Sequence, residues 1–212
     1  MKNLIVLFIS TSLFILPGCT SIKKDAFIKD KRLACGNVRL AILPFKDTPG
    51  QPGSGRKVAD TLTTALIRIK NWSLVERSRL EAIIKEKELN ATGLTTADYS
   101  NIARITHADF LILGSVSEFY HGKKAWIVEQ TKLSYRARII DARSADVVGT
   151  VNLDMETGKN AWLGCLCLSW YYIPVALFTE QNISKDMSRS SRRIVDVIED
   201  RIEDYRDDHP CK

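Results

Sequence analysis

The sequence has few of the residues from which enzyme and metal sites are built. Its three histidines, His107, His121 and His209, stand far apart and lack the spacing of metal ligands. A nucleophile elbow and a paired-carboxylate motif are also missing, and Ser115 in GSVSE has no basic partner nearby in sequence. We therefore expect no catalytic residue, no metal ligand and no cofactor, and an enzyme is the least favoured class.

The glycine-containing segment Gly50–Lys57 (GQPGSGRK) does not meet the requirements of a phosphate-binding loop. Such a loop needs a lysine followed directly by Ser or Thr, whose hydroxyl reaches magnesium. Here Lys57 is followed by Val58, so that hydroxyl is missing. We interpret the segment as a flexible connection, although the helix start behind it could hold an anion through its free amides.

Charge and composition are those of an ordinary globular protein. The chain of 212 residues has 31 basic and 25 acidic side chains and is 45% hydrophobic, which leaves no sign of collagen-like or disordered bulk. The small basic excess fits contact with anionic lipid or glycan and is weak support for nucleic acid. We therefore expect no nucleic-acid partner.

The N-terminus has the layout of a lipoprotein signal peptide over residues 1–18. Lys2 precedes the apolar stretch Leu4–Leu16, which is short for a membrane-spanning helix, and LPGC follows it. We predict cleavage after Gly18 and lipidation of Cys19, with a plain secretory signal or an uncut anchor helix as the alternatives. Because Thr20 replaces the aspartate of an inner-membrane retention signal, we expect the periplasmic face of the outer membrane. A Gram-positive host stays open.

Four cysteines remain once Cys19 is lipidated, and an export compartment permits disulfides among them. Three pairings are open. Cys165 and Cys167 stand too close to bridge each other comfortably. Because chain termini often lie near one another, we favour a bridge between Cys35 and Cys211, with free buried thiols as the alternative.

Hydrophobic periodicity predicts helices early and a strand meander late. Short apolar runs predict strands at Val38–Phe45 and Trp72–Val75, and a helical stripe lies between them. Apolar and polar residues alternate on either side of a turn at residues 141–146, and a long amphipathic helix over 183–205 follows. Together these elements predict an α+β domain with a mixed or antiparallel sheet packed by helices. Within the helical part, Ser78 and Glu81 have the spacing of a capping box. We divide the chain into a signal peptide (1–18), a lipidated tether (19–36), the α+β domain (37–158), a hydrophobic loop or hairpin (159–180) and a C-terminal helix and tail (181–212).

Several segments of the α+β domain resemble the CsgG family of curli-secretion lipoproteins. They are AILPFKD, the stretch ADTLTTALIRIKNWSLVERSRLEAIIKE, the stretch IARITHADFLILGSV and the pair of strands in RARIIDARSADVVG. The resemblance covers about Arg39 to Leu153 and follows the family order. It implies a CsgG-like periplasmic domain behind a lipidated cysteine, whereas folding constraints of this kind say little about activity.

The resemblance also raises an alternative function, an oligomeric outer-membrane secretion channel like the curli pore. In that pore, long hairpins supply membrane strands. Here we predict a short first hairpin with its turn at His121–Lys124, and the alternation after Met155 stops near Glu156. Both departures favour an accessory or assembly lipoprotein that binds other envelope proteins over the channel, with homo-oligomerisation left open.

Residues 161–178 (AWLGCLCLSWYYIPVALF) form an uncharged block of 18 residues. Trp and Tyr favour the membrane–water interface, so we predict that the block dips into the bilayer or docks on a partner through Trp162, Trp170, Tyr171, Tyr172 and Phe178. Packing on the domain's own core is the alternative. A separate basic run, of which Lys132, Arg136 and Arg138 are part with Lys123 and Lys124, is either a solvated face or a contact for phosphate groups of lipid or lipopolysaccharide.

Overall fold

The computed structural model describes residues 20–86, 95–124, 128–160 and 183–211. Its strands are β1 Thr20–Ile28, β2 Val38–Ile42, β3 Trp72–Leu74, β4 Phe110–Lys124, β5 Val128–Asp141 and β6 Val147–Asn160. Its helices are α1 Lys31–Cys35, α2 Ser54–Leu66, α3 Arg77–Glu86, α4 Thr96–Thr106 and α5 Ile183–Asp208.

The strands form one mixed sheet in the order β1-β6-β5-β4-β2-β3. The strand β2 runs parallel to both β3 and β4, whereas β4, β5, β6 and β1 pair antiparallel. The parallel half comes from the alternation of short strands with helices, and the antiparallel half from two successive hairpins. The expected α+β architecture with a mixed sheet packed by helices is confirmed.

The sheet is covered on its two faces to different extents. One face carries the larger core, in which α2 and α5 pack through side chains such as Leu62, Leu66, Ile194 and Ile198. The other face is covered by α3 and α4, through residues such as Leu80 and Ile102, over β2 and the adjoining ends of β4 and β5. Beyond these two helices the second face of β4, β5, β6 and β1 is polar and lies open to solvent.

The glycine-containing loop before α2 is held by a carboxylate of the chain itself. Asp47 accepts hydrogen bonds from the backbone N–H groups of Gly53 at 2.9 Å and Gly55 at 2.7 Å. These bonds lower the pKa of Asp47, since they favour its charged form. The anion position that a helix start offers is therefore occupied by Asp47, which explains why the loop resembles a phosphate site without being one.

The helix caps differ in part from those that the sequence predicts. The start of α3 is capped by Glu76, which accepts hydrogen bonds from the N–H groups of Ser78 and Arg79 at 3.0 Å each. The capping box predicted at Ser78 is therefore wrong, because the Glu81 side chain instead forms ion pairs with arginines. A capping box does exist at α4, where Thr95 is the N-cap residue.

The tether predicted for residues 19–36 is wrong from Thr20 onward. Residues 20–28 form β1, which pairs with β6 along its whole length, and α1 follows at Lys31–Cys35. Charged residues obscured the alternation, because Lys24 occupies an inward position between Ile22 and Ala26. Its ammonium group is tolerated there, since it reaches the carbonyl of Arg193 on α5 at 3.3 Å.

The first hairpin is longer than the sequence predicts. The predicted turn at residues 121–124 is wrong, because β4 continues in register with β5 as far as the pair Lys124–Val128. The strand β6 likewise continues past Glu156 to Asn160. Residues 125–127, which connect β4 to β5, lie outside the described part of the chain.

Candidate interaction surface

Four strand ends meet at one end of the sheet. Thr20 on β1 pairs with Thr157 on β6, Thr157 pairs with Thr131 on β5, and Thr131 pairs with His121 on β4. We call this row of four residues, with the strand ends beyond it, the Thr20 end. The first residue of β1, the last residues of β4 and β6 and the first residues of β5 therefore lie side by side.

The segments predicted to contact a membrane all adjoin the Thr20 end. Cys19 immediately precedes Thr20, and residues 161–182 connect β6 to the start of α5. The predicted cleavage and lipidation positions, Gly18 and Cys19, lie outside the described residues. So do the predicted contact residues Trp162, Trp170, Tyr171, Tyr172 and Phe178. The structure describes only the residues that flank these segments in the chain.

A buried polar cluster ties α5 to the Thr20 end. The Thr131 hydroxyl lies 3.0 Å from Nδ1 of His121 and donates to the carboxylate of Asp186 on α5 over 3.4 Å. Asp186 is 4% exposed, and Arg189 lies 3.9 Å from its other oxygen. The sequence analysis missed this cluster. The signal was a polar residue at an inward position of the alternation that continues through Leu133 and Tyr135.

The opposite end of the sheet is closed by a disulfide. Cys35 at the end of α1 is bonded to Cys211 beyond α5, with their Cα atoms 5.6 Å apart, and this is the pairing that the sequence analysis favoured. Two further contacts join the same segments, since Arg206 donates to the carbonyl of Ala34 at 2.7 Å and Lys31 to that of Pro210 at 3.1 Å. The long helix is thus fixed at both of its ends.

The open face of β4, β5, β6 and β1 is divided into two charge patterns. Near the Thr20 end, Lys132 lies 3.4 Å from Glu156, which also accepts a hydrogen bond from Gln130 at 2.6 Å. Farther along β5, Arg136 and Arg138 are exposed and form no ion pair within the described residues. The predicted basic run is therefore divided, with Lys132 neutralised and the two arginines unpaired. The side chains of Lys123 and Lys124 lie outside the description.

An exposed aromatic residue adjoins the two arginines. Phe27 is 55% exposed. It pairs with Thr150 on β6, and Thr150 pairs with Arg138 on β5, so Phe27 and Arg138 flank the same residue on the open face. We call Phe27, Arg136 and Arg138 the arginine patch.

Two further classes of site, a membrane-spanning helix and a metal centre, concern the described residues. No helix in the described part of the chain is long and apolar enough to cross a membrane. Within residues 20–86, 95–124, 128–160 and 183–211, no group of three or more His, Cys, Asp or Glu side chains is placed to hold a metal ion.

Part of the chain matches a known protein family. The profile of the family described as curli production assembly/transport component CsgG matches residues 25–125. The resemblance noted in the sequence is thereby confirmed, and the match begins within β1, inside the segment that we had expected to be a tether. No curated protein matches the chain in sequence.

Solved structures share the fold at low sequence identity. The PelC dodecamer from Paraburkholderia phytofirmans superposes with a TM-score of 0.50 at 12% identity, over 85% of this chain and 98% of PelC. A variant PelC dodecamer from the same organism gives a TM-score of 0.51 at 11% identity, over 85% of this chain and 99% of that one. Lipoprotein GNA1162 from Neisseria meningitidis gives 0.48 at 16% identity, over 61% and 92%. The two PelC structures establish the fold, and at such identities they establish nothing about activity.

Proposed function

We propose that this protein is an envelope lipoprotein that stands on the membrane by its Thr20 end and acts, without catalysis, as an accessory or assembly module for other envelope proteins. The observation that carries the proposal is the strand register that places Thr20 beside Thr157, Thr131 and His121. This register brings Thr20, which follows the candidate lipidated cysteine, and Asn160, which precedes the apolar block, to the same end of the sheet. We propose that the protein is located at the periplasmic face of the outer membrane.

The proposed anchor allows only a short distance between the sheet and the bilayer. Cys19 stands one residue before β1, and one residue of extended chain spans only about 3.3 Å. Acyl chains on Cys19 would therefore hold the Thr20 end against the headgroups. Stable anchoring takes more than one apolar contact. The block at residues 161–178 leaves β6 on the same side and supplies a second contact, rich in Trp and Tyr.

The arginine patch lies away from the proposed membrane contact and suits a protein partner. Arg136 and Arg138 are exposed without a counter-charge among the described residues, and Phe27 beside them offers apolar area. Arginine and aromatic side chains are enriched where proteins bind one another. We propose that this patch receives an acidic surface of an envelope protein. Arg136→Glu with Arg138→Glu should abolish cross-linking to that protein, while Lys132→Glu, on the self-paired part of the face, should leave it intact.

Lipidation is tested by acyl labelling of the full-length protein in its host. Labelled palmitate should enter the wild-type protein and the control variant Cys167→Ala, and the mature N-terminus should be the modified Cys19. The Cys19→Ala variant should take up no label and should keep its signal peptide. Label that persists in Cys19→Ala would refute lipidation at Cys19, even if the protein still fractionates with the membranes.

A secretion channel is the second candidate function, and the length of the hairpins favours it. The strands β4, β5 and β6 have 15, 14 and 14 residues, about 45 Å each, which is longer than the sequence predicts. The dodecameric state stated for PelC supports homo-oligomerisation here. Native mass of the full-length protein in mild detergent separates the two functions: a ring of many subunits that conducts across a bilayer supports the channel, and a monomer or small oligomer excludes it.

A further inference from the structure

A cleft lined mainly by polar residues opens between α2 and α5 on the helical side of the molecule. Its volume is about 220 Å³, and residues from the middle of α2 and from the first third of α5 line it. Arg68 lies on one side and Arg192 on the other. Both side chains are exposed, and neither forms an ion pair or hydrogen bond within the described residues. The cleft thus has two guanidinium groups without counter-charges.

Two serine hydroxyls add free donors to the same cleft. Ser191 is 4% exposed, yet it lines the cleft, and its hydroxyl has no hydrogen-bond partner in the described part of the chain. The Ser188 hydroxyl, which also lines the cleft, is likewise unpartnered among the described residues. Although the residue is largely buried, the Ser191 hydroxyl oxygen is not among the fully buried polar atoms without a partner, so it can be reached from the cleft. The neighbouring Ser190, by contrast, donates to the carbonyl of Met187 at 2.8 Å.

The acceptors in the cleft are already engaged. Asp60 is bound by Arg77, which also contacts Glu81 at 2.8 Å. Arg56 in turn lies 2.7 Å from Glu81, so these two acids and two arginines balance one another. The threonine hydroxyls of the lining donate to carbonyls of α2 itself. The unpaired groups are Arg68, Arg192 and the two serine hydroxyls, and the lining as a whole carries one net positive charge, because Asp60 offsets one of the two arginines.

We propose that the cleft between α2 and α5 is a binding site for an anionic oxygen group, a phosphate or a carboxylate, clamped between Arg68 and Arg192 and hydrogen-bonded by Ser188 and Ser191. Guanidinium groups match the geometry of such oxygens, and charge-assisted hydrogen bonds to them are about twice as strong as neutral ones. A free anion and a lipid headgroup offer the same chemistry. The site is independent of the proposed anchoring function, since its residues come from α2, from Arg68 in the turn that follows α2, and from α5.

Calorimetric titration of the full-length protein in neutral detergent tests the site. One arm uses inorganic phosphate, a second uses acetate, and a third uses phosphatidylglycerol dispersed in the detergent, all at constant ionic strength. We expect saturable binding in at least one arm. Arg68→Gln and Arg192→Gln should each raise Kd by about tenfold, because each removes a hydrogen bond to a charged group, and Ser191→Ala by about threefold.

Arg193→Gln is the matched control, because it removes the same charge from the next residue of α5, which does not line the cleft. Binding that is weakened in the cleft variants and kept in Arg193→Gln supports the site. Binding of phosphate or acetate then identifies a soluble anion, and binding in the phosphatidylglycerol arm alone identifies a lipid headgroup. Absence of saturable binding in all three arms, or equal loss in Arg193→Gln, overturns the proposal. Circular dichroism of each variant shows that its fold is intact.

Discussion

Removing the disulfide between Cys35 and Cys211 tests how the long C-terminal helix is held on the sheet. The bond closes a loop over a sequence separation of 176 residues. The helix α5 has other attachments, since Ile194, Ile198 and Ile202 are buried against the sheet. We therefore expect the double variant Cys35→Ser, Cys211→Ser to fold with α5 in place, but with a lower free energy of unfolding.

The size of the loss follows from the length of the loop. The chain-entropy relation gives about 5 kcal/mol for a separation of 176 residues. Measured bridges usually contribute about 2–4 kcal/mol, because the denatured chain retains structure. We expect a loss of about 2–4 kcal/mol, and the upper value of about 5 kcal/mol only if the reduced chain unfolds to a fully expanded state.

Urea unfolding of the full-length protein in detergent, followed by far-UV circular dichroism, measures this loss. The transition midpoint should fall in Cys35→Ser, Cys211→Ser, and the reducing agent should lower the wild-type midpoint to the same value. The matched control is Cys165→Ser, Cys167→Ser, which removes two thiols without touching the bridge. A double variant whose midpoint equals that of the wild type under oxidising conditions would refute the reasoning, since α5 would then be held by packing alone.

Three smaller perturbations have expected outcomes of their own. Asp47→Ala should cost about 1–2 kcal/mol in urea unfolding, because the amides at the start of α2 lose their acceptor. The folded pKa of Asp47 is lowered, so its contribution to the free energy of unfolding is present above the unfolded pKa of about 3.9 and is lost as pH falls below that value. In Asp47→Ala the free energy of unfolding should therefore depend less on pH in that acidic range. Gly114→Ala should cost about 1–3 kcal/mol, because a Cβ there would lie 2.5 Å from the Phe45 ring. Thr131→Val should cost about 1–3 kcal/mol, measured by thermal unfolding, because it removes the hydroxyl that contacts both His121 and Asp186.

Strong hydrophobic periodicity made much of the fold predictable from the sequence. The helical stripe with Leu62 and Leu66 lies on the core side of α2, and the apolar run at Val38 begins β2. The long amphipathic pattern after residue 183 is α5. In each case the burial of one face decides the structure, and the sequence shows that face directly.

Predictions from local sequence patterns were wrong where tertiary contacts decide the structure. The residues His121–Lys124 look like a turn because Gly122 lies between polar neighbours, yet the pairing with β5 continues through them. The strand β1 was missed because Lys24 interrupts its inward face, where the exposed lysine side chain reaches a carbonyl of α5. Neither contact leaves a periodic pattern in the sequence.

The candidate site was predictable in its parts and not in its arrangement. The sequence marks Cys19 and the apolar block as membrane contacts, separated by about 140 residues. The described residues next to them, Thr20 and the end of β6, come together only through strand register, which joins Thr20 to Thr157. The cleft with Arg68 and Arg192 likewise depends on how α2 and α5 pack, and two isolated arginines give no signal of it.

Tryptophan fluorescence in bilayers tests the membrane contact of the Thr20 end most directly. The chain has four tryptophans. Trp72 in β3 is buried and donates to the carbonyl of Leu33 at 2.9 Å, Trp162 and Trp170 belong to the apolar block, and Trp126 lies between β4 and β5 and is replaced in every variant. Variants that retain one tryptophan each, the others replaced by phenylalanine, are incorporated into vesicles with brominated acyl chains. Bromine should quench Trp162 and Trp170 and leave Trp72 bright. Equal brightness of all three would contradict the account, because the block would then lie on the protein instead of in the bilayer.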